Sequence, residues 1–424
     1  MIVRPRATSL CRRRRGSIYP AVLAYASLVT IIGLSALLAL RLQRRASEGE
    51  IDFSQARMHA RSAIEMGLWV VENNAAWRSA LPNGVWLEDR PIGSGTYTLE
   101  VVDPNDGDFM NSDLHPLVLT GTGVQGAARH KTQLRLEPPT SPLGCLEVSL
   151  HAGNDLKFNA ALLQSNQVIS ANNSVDSNTS TIDADVEAVN VISGSGYTGT
   201  SRTGIDPRSM PNSAVFDYYL DRGTPISILS MPTNASGALM EKIVLSPASN
   251  PYGVETNPTG IYVIDCQGTN LEITLSRIVG TLVLKNPGSG SIITQSVNWE
   301  PAIANYPALM VSGSMKINLD AADLSESALS VNFNPLGTPR GTIDDADQLD
   351  DYPSVIKGLV YVSGDLLASG ANSFEGSLIV GVSLDASGVL DLEYDSVYFD
   401  NPPPGFFEVS AMRVVAGSWK QVVD

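Results

Sequence analysis

The chain opens with a run of hydrophobic positions that no charge interrupts. Twenty residues from Ala21 to Leu40 contain no Asp, Glu, Lys or Arg, and a helix of that length crosses the hydrocarbon core of a bilayer. Arginines lie on both sides of the run and are denser before it. Because positive charge favours the cytoplasmic side, the pattern predicts a single-pass helix in the cytoplasmic (inner) membrane, with a cytoplasmic N-terminus and a body exported to the periplasm or cell surface.

A cleaved secretory signal is the main alternative for this run. The apolar core of such a signal has about 7 to 15 residues and ends at small residues. Here the run is longer and is followed by Arg-Leu-Gln-Arg-Arg at 41–45. A retained transmembrane helix over 17–45 is therefore the favoured interpretation.

Beyond the arginines, the hydrophobic positions follow a helical period. Small and apolar residues recur at steps of three and four and form one stripe: Ala56, Ala60, Ala63, Gly67 and Val71. We expect a helical extension over 46–80 that continues the membrane helix as one rod, roughly 90 Å long at 1.5 Å rise per residue. The stripe allows other helices to approach closely; the alternative is that this helix lies on its own domain.

From residue 81 onward, alternating positions predict strands. Runs at 95–102, 114–120 and 132–136 are separated by turn residues, so 81–143 is expected to form a small α+β region packed on the rod. The rest, 144–424, contains short β-runs between Gly, Asn and Ser turns, with an insertion expected around 196–258. The predicted fold class is α+β: a long N-terminal transmembrane helix, then the small α+β region, then a mainly β C-terminal domain.

Repeated short sequence strings in the C-terminal domain favour a fold of stacked coils. Gly260 begins a Gly-Ile-Tyr-Val string twenty residues before Gly280, and Gly358 stands eighteen residues before Gly376 in a similar pair. The strings that begin at Ser312, Ser363 and Ala152 also resemble one another. Spacings near twenty suit the rungs of a parallel β-solenoid. A β-sandwich is the alternative, because antiparallel strands alternate in the same way.

Composition narrows the class of partner. The formal net charge is −16, yet residues 1–47 hold nine arginines and no acid. The remaining acidic body repels phosphate backbones, so no nucleic-acid partner is expected. The small number of cysteines, with no CxxC pair, does not predict a zinc site. Cys145 and Cys266 could pair in an oxidising compartment, or both could be buried free thiols.

One stretch offers metal ligands. Asp103, Asn105, Asp106 and Asp108 present several oxygens around a glycine turn, and calcium binds such oxygen clusters. The same residues are also those of an ordinary tight turn. No other cofactor is expected.

Catalytic motifs are missing from the sequence. The four histidines are scattered, without HExxH, GxSxG or a phosphate loop, and chance pairs such as Asp183 and Asp185 occur among 44 acids. We therefore expect a protein that is not an enzyme. The alternative is a membrane-anchored β-solenoid adhesin or carbohydrate-active enzyme.

The N-terminal residues resemble those of type IV pilin-like proteins. A basic leader (1–16) ends in Arg15-Gly16, an apolar helix follows at once, and Ser62–Leu68 is similar to the family's "AEAGLE" segment. Ala21 stands where major pilins have glutamate. The absence of this glutamate is typical of tip-type minor pseudopilins. Pro20 fits the first turn of the mature helix, where its missing N–H is not needed.

This resemblance implies processing and assembly. A prepilin peptidase would cut between Gly16 and Ser17, and the new N-terminus would be methylated. The expected function is that of a non-enzymatic minor pilin or pseudopilin subunit in a type IV pilus or type II secretion assembly. Its expected partners are the membrane, prepilin peptidase, other pilin-like subunits and a surface or polysaccharide ligand.

Overall fold

The computed structural model describes residues 18–253 and 255–423, which form two compact units. Unit 1 contains the described residues up to Pro139 together with those from Val409 onward, and unit 2 is Thr140–Glu408. The predicted C-terminal domain, 144–424, thus extends too far, because its last residues belong to unit 1.

Unit 1 begins with a single long helix, α1 (Ile18–Asn73), of 56 residues. At 1.5 Å per residue it is about 84 Å long. The predicted membrane helix and its helical extension are therefore one element, with no break at the arginines. A short helix, α2 (Trp77–Ala80), follows it.

An antiparallel sheet completes unit 1. Its strands in chain order are β1 (Gly84–Ile92), β2 (Gly95–Val102), β3 (Leu117–Gln125) and β4 (Ala128–Glu137). Each strand pairs with the next, and β2, β3 and β4 overlap the three predicted runs. Two short strands from the end of the chain, Arg413–Val414 and Lys420–Val422, then pair with β4.

The small-residue stripe of α1 packs on this sheet. Ala56, Ala60 and Ala63 are fully buried, and they face two glycines of β3. A Cβ atom on Gly121 would lie 2.1 Å from the carbonyl oxygen of Ala60, and one on Gly123 would lie 2.0 Å from that of Ala56. The prediction that the stripe serves other helices is therefore wrong, and the alternative, a helix lying on its own domain, describes this half of α1.

Unit 2 consists mainly of short strands. They are β5 (Thr140–Pro142), β6 (Leu150–Ala152), β7 (Asp155–Ser165), β8 (Ile169–Ala171), β9 (Ser174–Asn178), β10 (Thr181–Asp183), β11 (Val186–Ala188), β12 (Val191–Gly194), β13 (Ser201–Thr203), β14 (Thr224–Ile226), β15 (Thr233–Asn234), β16 (Gly237–Glu241), β17 (Val244–Leu245), β18 (Ile261–Asp265), β19 (Leu271–Val279), β20 (Thr281–Lys285), β21 (Ile292–Glu300), β22 (Pro307–Ser312), β23 (Met315–Leu319), β24 (Leu324–Ser325), β25 (Asp351–Tyr352), β26 (Val355–Val362), β27 (Leu366–Val380), β28 (Leu384–Glu393) and β29 (Phe407–Val409). The two C-terminal strands of unit 1 are accordingly β30 (Arg413–Val414) and β31 (Lys420–Val422).

Short helices connect some of these strands. The α-helical turns are α3 (Asp217–Arg222), α4 (Glu326–Leu329) and α5 (Val397–Asp400). Three 3-10 turns lie at Gly144–Glu147, Ser213–Phe216 and Ile228–Ser230.

The strands of unit 2 stack in parallel, as in a β-solenoid. Ile261 pairs with Thr281, which places Gly260 beside Gly280, and Gly358 pairs with Gly376. These are the positions whose repetition predicted the coils. Within the large sheet, antiparallel pairing between described strands is limited to the small hairpin of β15 and β16, so the β-sandwich alternative does not describe it.

The stacking order differs from the chain order. The last coil lies against the first: β28 pairs with β7 through Leu384 and Leu156, and β27 pairs with β6 through Leu378 and Leu150. The expected insertion, 196–258, also supplies coils, because β14 pairs with β18 and β16 with β19. Residues 206–222, in contrast, form no strand.

Both faces of one solenoid wall are buried. Inward residues such as Leu282 and Leu309 belong to the main core. On the other face Val283 and Met310 belong to a second cluster, together with Phe216 and Tyr219 from the segment 206–222. That segment therefore covers this wall.

The two cysteines of unit 2 are free and buried. Cys145 belongs to the covering cluster and Cys266 to the main core, so they do not form the disulfide that the sequence allowed. Burial raises the pKa of Cys145 above its usual value and that of Cys266 to about 12. The alternative of two buried thiols that act as small hydrophobes describes them.

Candidate functional site

The first half of α1 is a continuous exposed apolar surface. Every residue from Ile18 to Ile51 is exposed, including Leu28, Ile31 and Leu34. Among the described residues, α1 is the helix that is long and apolar enough to cross a membrane. An exposed apolar surface of this extent marks an interaction with lipid or protein.

Three hydroxyl groups in this half are satisfied within the helix. The hydroxyls of Ser27, Thr30 and Ser35 donate hydrogen bonds of 2.7–2.9 Å to backbone carbonyls three or four residues earlier. In hydrocarbon each unsatisfied polar group costs several kcal/mol. The segment is therefore suited to a bilayer or to a bundle of apolar helices. The predicted processing residues, Gly16 and Ser17, lie outside the described residues.

A second candidate site is the loop between β2 and β3 in unit 1. Asp103, Asp106 and His115 each place a ligand atom within 4.8 Å of the others. His115 Nδ1 lies 2.9 Å from Asp103 Oδ2 and 3.6 Å from Asp106 Oδ1. These three side chains could hold one divalent cation.

The loop is held in shape by hydrogen bonds to its own backbone. The Asp103 carboxylate is buried and accepts from the Asn105 N–H at 2.8 Å. The Asp108 N–H and the Asn111 amide, with His115 nearby, lower the pKa of Asp106 below its usual value. Arg78 donates to the carbonyls of Ser112 and Asp113, at 3.0 and 2.9 Å. The loop is thus ordered by the protein itself.

The structure brings together only part of the predicted ligand set. Asn105 contributes its backbone, and the Asp108 carboxylate accepts from the Met110 N–H at 2.9 Å. The sequence-based prediction missed His115. His115 lies seven residues after Asp108, inside the run 114–120 that was predicted as a strand, and no local pattern marks it as a ligand. With an imidazole among the donors, the set suits a transition metal better than calcium, which prefers oxygen ligands.

Other acidic groups of unit 2 have structural partners. Asp183 and Asp185 accept hydrogen bonds from the hydroxyls of Thr198 and Thr200, each at 2.7 Å. In the acidic loop 344–351, Asp345 and Asp350 accept from the Asn334 side chain. These bonds fix neighbouring segments of unit 2.

One histidine of unit 2 is isolated from polar groups. Both ring nitrogens of His151 are buried without a hydrogen-bond partner among the described residues. Burial, with a smaller contribution from Arg208, lowers the pKa of His151 to about 3. The imidazole is therefore neutral at ordinary pH.

Comparison with known proteins gives little. No model of a known protein family matches the chain, and no curated protein matches it. Among solved structures it is similar to the competence-associated pilin ComZ from Thermus thermophilus, with 11% identity over 88% of this chain and 98% of that chain, at a TM-score of 0.23. It is also similar to an ice binding protein from an Antarctic bacterium, Flavobacteriaceae, with 13% identity over 61% of this chain and 49% of that chain, at a TM-score of 0.21. At such TM-scores neither structure supports a conclusion about the fold or the function of this chain.

Proposed function

We propose that this chain is a membrane-inserted, pilin-like subunit that is not an enzyme. Its helix α1 would assemble with the helices of other subunits, and unit 2 would present a binding surface outside the membrane. The assembly would be a type IV pilus or a type II secretion system, with this chain as a minor pilin or minor pseudopilin.

The observation that carries the proposal is the division of α1 into two halves. From Ile18 to Ile51 the helix is exposed on all sides, whereas Ala56, Ala60 and Ala63 are fully buried on the sheet of unit 1. A passive anchor needs only about twenty apolar residues and no rigid continuation. The C-terminal part of such a helix is held by the sheet, and its N-terminal part is exposed. The N-terminal part can therefore lie in a bilayer first and in a helical bundle later.

The structure also limits which residues could make the assembly contact. Because the small-residue stripe is occupied by β3, neighbouring subunits would have to use the exposed half of α1. In lipid, such association depends on packing between helix surfaces. Gly33 has no atom within 4 Å of its open side and offers a place for close approach.

The test is the mature N-terminus of the exported protein. Co-expression with a prepilin peptidase should give a chain that begins at Ser17 and carries one methyl group, as measured by intact mass and N-terminal peptide sequencing. The variant Gly16→Val should stay uncut, because the peptidase of the resembling family cuts after glycine. A chain that keeps Met1, or one cut beyond Leu40, would contradict the proposal.

Replacement of the helix separates assembly from anchoring. Exchanging residues 17–45 for an unrelated membrane helix should leave the protein in the membrane and abolish its incorporation into a filament or secretion complex. Full activity of the exchanged protein would favour the alternative, a membrane-anchored β-solenoid adhesin or carbohydrate-active enzyme. Cleavage of a polysaccharide by the purified protein would contradict the non-enzymatic role.

No cofactor is needed for this function. The cluster of Asp103, Asp106 and His115 is instead proposed as a structural cation site. A cation there would tie the loop between β2 and β3 to the sheet and act on stability alone.

A further inference from the structure

Unit 1 contains a basic cavity that the proposed function does not use. It has a volume of about 440 Å³ and is lined by side chains from α1, β4 and the C-terminal segment around β31: Arg57, Arg61, His130, Thr132, Trp419, Lys420 and Gln421. Among the described residues no acid lines it, although the whole chain has a net charge of −16. A local positive site of this kind selects anions.

Two arginines stand one helical turn apart on α1 at the cavity. Residues four apart share one helix face, so both guanidinium groups belong to the same side of the cavity. Arg57 has no ion pair with any described residue, while Arg61 pairs with Glu65 at 3.1 Å and lies 5.6 Å from the Trp419 ring centre. The Arg57 guanidinium is therefore available to bind an anion, and the Arg61 guanidinium is held beside the Trp419 ring.

One wall of the cavity contains a nearly buried histidine, His130. His130 is 5% exposed, and its Nδ1 has no hydrogen-bond partner among the described residues. Its ring packs edge-on against Phe53, with ring centres 5.3 Å apart. The rest of the ring lines the cavity, so a ligand bound there would change the surroundings of His130.

Neutral donors complete the site. Thr132 and Gln421 are directly opposite each other in the pairing of β4 with β31, and both line the cavity. Guanidinium forks match the geometry of phosphate oxygens and can donate two parallel hydrogen bonds. The volume leaves room beside Trp419 for the organic part of a larger ligand.

We propose that this cavity binds a phosphate group through Arg57 and Arg61, beside His130. The phosphate would belong either to a free phosphate compound or to the headgroup of an anionic phospholipid. Arg57 lies twelve residues after Arg45, about 18 Å farther along the helix. A headgroup would therefore reach the cavity only if α1 tilted towards the membrane surface, and the experiment separates the two sources.

The experiment uses the full chain in lipid nanodiscs. Inorganic phosphate is titrated into discs of zwitterionic lipid, and the imidazole resonances of the histidines are followed by NMR, with His130 assigned from the variant His130→Gln. A saturable shift of the His130 signal is expected. The double variant Arg57→Gln/Arg61→Gln should bind phosphate about tenfold or more weakly, because charge-assisted hydrogen bonds are lost.

A matched control removes the same kind of charge elsewhere in unit 1. Arg90 is exposed on β1 and does not line the cavity, so Arg90→Gln should leave phosphate binding unchanged. Acetate at equal ionic strength should produce no saturable shift. Nanodiscs that contain phosphatidylglycerol supply the second arm: a His130 shift there without added phosphate, lost in the double variant, assigns the headgroup as the source.

The outcomes are distinct. Saturation by phosphate in zwitterionic discs supports a free phosphate compound, and a response only to anionic discs supports the lipid. No response in either arm would overturn the proposal, as would an equal response to acetate or one that survives the double variant. None of these results depends on filament assembly or on cleavage at Gly16.

Discussion

Unit 1 packs a helix on an antiparallel sheet, whereas unit 2 stacks parallel strands and contains no described helix longer than six residues. In unit 1 the packing depends on missing side chains, because α1 touches β3 where Gly121 and Gly123 leave space. In unit 2 it depends on large apolar side chains that repeat from coil to coil, as Ile278, Trp299 and Ile356 do. The helix–sheet contact of unit 1 thus depends on two glycines, whereas in unit 2 many similar side-chain contacts share the packing.

The largest effect should come from a core substitution in unit 2. Trp299 is fully buried and donates to the Gly280 carbonyl at 3.1 Å. We expect Trp299→Ala to lower the free energy of unfolding of unit 2 by about 4 kcal/mol. Hydrogen exchange should increase mainly in the neighbouring coils, because each coil contacts only the next ones. Equal loss of protection in β2 and β3 would break the comparison.

A single methyl group should have nearly as large an effect in unit 1. In Gly121→Ala the new Cβ would meet the Ala60 carbonyl at 2.1 Å, so α1 must move away from the sheet. We expect the free energy of unfolding of unit 1 to fall by about 3 kcal/mol, as measured by urea denaturation.

The control adds the same methyl group where space is open. Gly49 lies in α1 with no atom within 4 Å of its open side. Gly49→Ala should raise helix stability by up to about 1 kcal/mol, because alanine has the higher helix propensity. If both variants behave alike, the close contact does not determine unit 1.

The next largest effect should be a gain in stability on cation binding, and it should be confined to unit 1. We expect Zn²⁺ to raise the stability of unit 1 by about 2.7 kcal/mol at one hundred times its dissociation constant, and EDTA to reverse the gain. His115→Gln should abolish the effect. Asp108→Asn should keep it, since that carboxylate is outside the cluster. Loss of the effect in both variants, or an equal gain in unit 2, would contradict the site.

The smallest effect concerns the pH dependence of unit 2. The folded pKa of His151 is about 3, below the unfolded value of about 6.5. The unfolded state thus binds the proton more readily, and stability is lost as pH falls below about 6.5. At pH 5.5 the expected loss from His151 is about 1.4 kcal/mol.

A variant isolates this contribution. His151→Leu should remove that part of the pH slope and keep or raise stability at pH 7, because both ring nitrogens lack partners. Denaturant unfolding between pH 5 and 7 measures it. An unchanged slope in the variant would show that other groups cause the acid sensitivity.

Local periodicity made most of the fold predictable. The uncharged run and the three-and-four spacing predicted α1, and the repeated glycines predicted the parallel coils for a physical reason. Gly280 and Gly376 stack on Gly260 and Gly358 so closely that a Cβ would lie 2.2–2.3 Å from the carbonyl oxygens of those glycines. Each coil needs a glycine where it stacks on the next coil, so glycines recur in the sequence at the spacing of the coils.

The remaining features depend on contacts between distant residues. The pairing of β28 with β7 joins residues more than two hundred positions apart, and no period marks it. The pairing of β30 and β31 with β4 was missed for the same reason. In the candidate cation site the turn predicted Asp103 and Asp106, but the loop that brings His115 to them has no local signature.

The pairing of β31 with β4 has a consequence for biogenesis. Lys420 pairs with Gln133, so all of unit 2 is synthesised between two neighbouring strands of one sheet. A chain that ends early keeps the outer edge of β4 open, and open strand edges attract aggregation. The segment after unit 2 thereby covers this edge, and a protease or chaperone that recognises open strand edges could distinguish molecules in which β31 has docked from those in which it has not.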